Sequence, residues 1–185
     1  MTRLLVNGRD PCAFSRSTNF ASLRRVLNSG PYTAIVRGAD DTTGIALVEA
    51  YDRNAGNGAQ LANISTRGVV ERDENVLIVG FIVGSEGRGS RVLVRAIGPS
   101  TKSQVPDALD NPELELFHRN GTAVGYNDNW KDSPRRSEIE NSGVAPTNDV
   151  ESAVLLDVTP APYTAIVRGV NDTTGVALVE VYNFD

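Results

Sequence analysis

The 185-residue chain has a single cysteine, Cys12, so no disulfide can form within it. It also has a single histidine, His118, at the end of an expected strand. A lone imidazole there lacks the partner that nucleophilic catalysis requires. Paired metal histidines, a nucleophile elbow and a phosphate loop are missing too. Gly84, Gly87 and Gly89 stand in the run GSEGRG, which leads into a strand, whereas a dinucleotide loop opens a helix. These gaps argue against an enzyme. No stretch nears the ~18 apolar residues of a membrane span, and Met1 to Asp10 holds no apolar core of signal-peptide length. There is no basic excess either: 18 Lys and Arg against 23 Asp and Glu leave a net charge of −5. Arg24 with Arg25 and Arg135 with Arg136 are two short pairs, not the basic surface that nucleic acid needs.

What the chain does have is a long internal repeat. Residues 31–52 read PYTAIVRGADDTTGIALVEAYD, and residues 162–183 read PYTAIVRGVNDTTGVALVEVYN. Of 22 aligned positions 17 are identical, at an offset of 131. The changes are Ala39/Val170, Asp40/Asn171, Ile45/Val176, Ala50/Val181 and Asp52/Asn183. Tyr163, Ala165 and Val167 alternate with Thr164, Ile166 and Arg168, and Ala177, Val179 and Val181 alternate with Leu178, Glu180 and Tyr182. This period of two, interrupted by a turn-rich Gly169 to Gly175, predicts a β-hairpin at 163–182 and a second at 32–51.

Further strands are expected at Gln60 to Thr66, Arg91 to Ile97 and Glu151 to Val158. Glu113 to His118 and Thr122 to Tyr126 flank the tight-turn pair Asn120-Gly121. The apolar run NVLIVGFIV from Asn75 to Val83 suits a strand buried on both faces. Only Pro134 to Asn141 reads as a short helix. Many short strands punctuated by Gly, Pro and Asn predict an all-β protein, a β-sandwich of jelly-roll-like topology. The expected organisation is a partial repeat at 1–53, the terminal hairpin of a preceding unit; a junction at 54–59; and a complete sandwich at 60–185.

The complete unit resembles a repeat of large, secreted, multi-repeat bacterial surface proteins. The resemblance rests on LANISTRG at 61–68, VGFIVG at 79–84, VLVRAIGPS at 92–100, NPELELF at 111–117, NDNW at 127–130, APTNDVESA at 145–153 and the YTAIVRG segment. The C-terminal half is also similar to bacterial pre-peptidase C-terminal domains. The resemblance implies a β-sandwich outside the cell or on its surface, acting in secretion, adhesion or matrix binding, with no catalytic residue to carry over. It implies a structural or adhesive module or, alternatively, an accessory domain that binds carbohydrate or protein. Some related domains bind calcium.

Asn127, Asp128, Asn129 and Asp132 place four oxygen-bearing side chains in one short loop, and Asn148, Asp149 and Glu151 form a second cluster. Two readings stand: turn and cap chemistry, or a calcium site using Asp128 and Asp132 with Asp149 or Glu151. No other cofactor is expected. Trp130 reads as a core plug beneath the loop; with Tyr126 it would stack on a sugar only if exposed. The expected partners are further copies of the chain, joined through unpaired strand edges, and a matrix glycan or protein.

Overall fold

The structure, a computed structural model, describes residues 2–6, 15–17, 20–22, 24–52, 62–84 and 89–184. Cys12, Gly87 and the expected junction 54–59 lie outside the described residues. Two compact units divide the chain, Met1–Gln60 and Leu61–Asp185. No helix among the described residues is long and apolar enough to cross a membrane.

Four short strands lie in the first unit: β1 (Thr2–Val6), β2 (Ser15–Ser17), β3 (Phe20–Ser22) and β4 (Ala34–Gly38). β1 pairs antiparallel with β4, bringing Leu4 opposite Val36, and β2 pairs with β3. A 3-10 turn, Ala39–Asp41, follows β4, and residues 42–52 then run on without regular structure. The expected hairpin at 32–51 is therefore not formed: its first arm is a strand and its second is not.

The second unit is an all-β sandwich. Its strands are β5 (Asn63–Val70), β6 (Leu77–Ile82), β7 (Ser90–Ile97), β8 (Pro112–His118), β9 (Ala123–Asn127), β10 (Ser152–Val158), β11 (Pro162–Gly169) and β12 (Gly175–Asn183). They form two antiparallel four-stranded sheets, ordered β10-β7-β12-β5 and β6-β11-β8-β9. Between the sheets pack Val79, Phe81, Val92, Val94, Leu114, Leu116, Ala165, Val167, Ala177 and Val179, each at most 6% exposed. The alternation read from the sequence selects these inward positions, since successive strand side chains point to opposite faces.

Apart from β8 to β9, each step from one strand of this unit to the next crosses between the sheets. That corrects the hairpin expected at 163–182. β11 lies between β6 and β8, and β12 lies between β7 and β5, so neither has an edge left for the other. The segment is a β-arch, whose arms face each other across the core. Alternation is the same in a hairpin and an arch; the turn decides between them. Among the described residues of this unit the hairpin is β8–β9, closed at Asn120-Gly121, where Gly121 takes φ 83° and donates its N–H to the His118 carbonyl at 2.8 Å.

The apolar run 75–83 also differs from its expectation. β6 is an edge strand that buries Val79 and Phe81 but leaves Ile78 57% and Ile82 72% exposed. β7, like most of β10, is buried on both faces. Its outer face, with that of β10, is covered by the segment between β9 and β10, which includes the short helix α1 (Arg136–Asn141). Leu93, Trp130, Ile139, Ala153 and Leu155 make this second, smaller core. Salt bridges fix the rim: Arg135 to Glu138 at 2.7 Å and to Asp157 at 3.0 Å, and Arg91 to Asp157 at 2.7 Å. Hydrogen bonding to Arg135 lowers the Glu138 pKa, and hydrogen bonding to Arg91 lowers that of Asp157.

Candidate functional site

The acidic loop is organised around Glu151, whose side chain is fully buried. Its Oε1 accepts the backbone N–H groups of Gly98 (3.1 Å) and Ser100 (2.9 Å) and the Ser100 hydroxyl (2.5 Å). Its Oε2 accepts the Asn148 N–H at 3.3 Å. The carboxylate thus ties the loop after β7 to the loop before β10. A buried carboxylate surrounded by donors in this way is satisfied without a metal.

The other expected ligands are distributed differently. Asp149 forms a salt bridge with Lys131 at 2.5 Å. Asp128 Oδ2 accepts from the Asn129 amide at 3.3 Å, while Asp128 Oδ1 is buried without a partner. Asp132 is exposed in the 3-10 turn Trp130–Asp132. Among the described residues no three His, Cys, Asp or Glu side chains gather closely enough to hold a metal ion. The melting temperature of the protein is accordingly expected to be the same in millimolar calcium and in excess chelator; a rise with calcium would mean that the carboxylates rearrange around the ion.

Asn127 works alongside Glu151 as a local clamp. Its Oδ1 accepts the Ala153 N–H and its Nδ2 donates to the Asn129 carbonyl, both at 2.9 Å. Trp130 is 5% exposed and donates its indole N–H to the Asn148 carbonyl at 3.2 Å, with the Lys131 ammonium 5.6 Å from its ring centroid. It plugs the smaller core and offers no open face for sugar stacking. Tyr126 is 60% exposed and donates to Glu113, and burial followed by that bond raises its pKa. His118 packs edge-on against Tyr163 at 5.4 Å, a packing role.

The feature that sequence reading had located but misdescribed is the duplicated arch. Its turn is the same in both copies. Asp40 takes φ 52°, ψ 39°, and Asn171 takes φ 55°, ψ 38°; Asp41 and Asp172 both take φ 57°. Asn and Asp are the side chains that tolerate this left-handed region best. Thr42 Oγ1 bonds the Ala39 carbonyl at 2.7 Å, as Thr173 Oγ1 bonds that of Val170 at 2.9 Å. A Cβ on Gly38 would sit 1.7 Å from the Thr42 carbonyl oxygen, and one on Gly169 would sit 2.0 Å from that of Thr173. Tyr32 and Tyr163 each donate to the carbonyl four residues earlier, at 2.9 Å.

The second arms then part company. β12 buries Ala177, Val179 and Val181 between the sheets. The corresponding stretch 44–52, GIALVEAYD, leaves Ile45 96%, Leu47 85%, Val48 53% and Tyr51 69% exposed. Glu180 accepts from Tyr182 at 3.1 Å, as its counterpart Glu49 accepts from Tyr51 at 2.9 Å, a bond that raises the Tyr51 pKa; Glu180 is held in addition by Arg95 at 2.6 Å. An arm apolar on both faces is the composition of a central strand, here displayed to solvent.

Comparison of the chain with protein-family models gives no match, and comparison with curated proteins gives none either.

Proposed function

We propose that this chain is a non-enzymatic structural or adhesive module of the cell exterior that joins copies of itself through the arch at 31–52. The observation that carries this reading is the exposed arm 44–52, a near-copy of a strand that is central and buried elsewhere in the same chain. Exposed apolar surface of this kind marks an interaction site, and an unpaired strand is a template for strand addition. A contact between an arch of one copy and a sandwich of the next is head-to-tail, so it extends into oligomers or fibres unless its rotation closes a ring. The resemblance to secreted multi-repeat surface proteins supports the placement outside the cell. Sedimentation velocity over a range from micromolar to millimolar tests the reading. The wild type should associate increasingly with concentration, and a Leu47→Lys/Val48→Asp variant should stay monomeric. A wild type that is strictly monomeric throughout contradicts it.

A further inference from the structure

We propose that the arch 31–52 fits one defined slot: the gap in a second copy's sandwich that residues 162–183 fill in their own. This deepens the assembly reading above and rests on it. The slot is lined by β5 and β7 on either side of β12 and by β6 and β8 on either side of β11. The spare arch carries the features that the slot demands.

The first is Gly44. Its counterpart Gly175 lies so close to the chain before β8 that a Cβ would stand 2.7 Å from Leu109 Cα, 2.7 Å from Leu109 N and 2.9 Å from the Asp107 carbonyl oxygen. Those are backbone atoms, so no side chain larger than glycine seats there without moving the main chain. Gly44 meets nothing within 4 Å and takes φ 158°, so glycine suits its own backbone as well as the slot. The second is Glu49. In the slot it comes opposite Arg95 and Ser65, the register partners of Glu180, and gains the charged partner that holds Glu180. The third is the apolar pair of faces. Ala46 and Val48 take the places of Ala177 and Val179, both fully buried, and Leu47 and Tyr51 take those of Leu178 and Tyr182. The turn bends the chain in the same way in both copies, and β4 leaves β1 when the arch enters the slot.

One position sets the order of preference. Val181 is 7% exposed in the core, and Ala50 stands in its place in the spare arch. Two missing methyl groups weaken the spare arch in the slot by roughly ten-fold or more. The chain's own arch therefore holds its slot in dilute solution, and the spare arch of a second copy enters by displacing it only as the protein concentration rises.

The test uses full-length chains. An affinity-tagged acceptor carries Gly44→Val and Gly175→Val, so neither of its arches can seat. It is refolded together with an equimolar untagged donor, either wild type or Gly44→Val. The acceptor should retain about one wild-type donor per chain and about ten-fold less of the Gly44→Val donor. Equal retention of the two donors, or retention of neither, overturns the proposal. A milder acceptor, Gly44→Val with Gly175→Ala, repeats the comparison with a sandwich less prone to unfold, and absence of capture there overturns it as well. Failure here, with concentration-dependent association of the wild type intact, removes the slot and leaves assembly to another contact. Success here with a strictly monomeric wild type keeps the slot and removes the assembly role.

Discussion

Val179→Asp is expected to lower the stability of the Leu61–Asp185 unit by about 4 kcal/mol or more, enough to unfold a marginal sandwich. Val48→Asp, the same change at the duplicate position, should alter the stability of the monomer by less than about 0.5 kcal/mol. The two valines occupy aligned positions in segments with 17 identities in 22 residues. Val179 is fully buried in a strand paired on both edges, and a carboxylate there has neither water nor a donor. Val48 is 53% exposed in a stretch without regular structure, where a carboxylate stays hydrated. Urea melts followed by the fluorescence of Trp130, the single tryptophan, read the stability of the sandwich directly. Comparable losses at both positions would mean that 44–52 is packed in the monomer.

The second large effect is expected at Glu151. Its replacement by alanine leaves the N–H groups of Gly98, Ser100 and Asn148 and the Ser100 hydroxyl without their acceptor. Buried donors deprived of a charged acceptor cost more than the net worth of the bonds, so the loss should be about 3 kcal/mol, roughly 10 °C in Tm. Glu151→Gln keeps the shape and one acceptor oxygen and should lose about half as much. The effect should be the same with and without calcium, because the hydrogen bonds of the carboxylate run to the two loops. A Glu151→Ala protein as stable as the wild type would remove Glu151 from the frame of the sandwich.

These cases mark what the residues disclose before folding. Alternation separated the two faces of β11 and β12 correctly, because period two is a property of any half-buried strand. It could not tell a hairpin from an arch, since the difference lies in which strands take the remaining edges. The run 75–83 looked buried on both faces because its composition is apolar throughout, yet β6 is an edge strand with Ile78 and Ile82 facing out. β7, which is buried on both faces, carries Arg91 and Arg95, and those charges masked it. The acidic loop was found by its density of oxygen-bearing side chains. Glu151 was named there as one oxygen ligand among several, but its organising role was not legible, because in sequence it resembles any acid before an apolar strand. Asn120-Gly121 was legible outright, since few sequences satisfy a tight turn as well. The repeat was the strongest sequence signal, and its consequence emerged only when one copy was seen packed and the other exposed.

On this reading 44–52 becomes a strand only when it pairs with another copy. Amide hydrogen exchange of the full chain, followed peptide by peptide at low and at high protein concentration, tests it most directly. At low concentration the amides of 44–52 should exchange freely while those of 175–183 remain protected. At high concentration protection should appear in 44–52, accompanied by partial loss in 175–183 as arches trade places. Exchange in 44–52 that is equally fast at every concentration, or equally slow from the most dilute sample onward, would contradict the account.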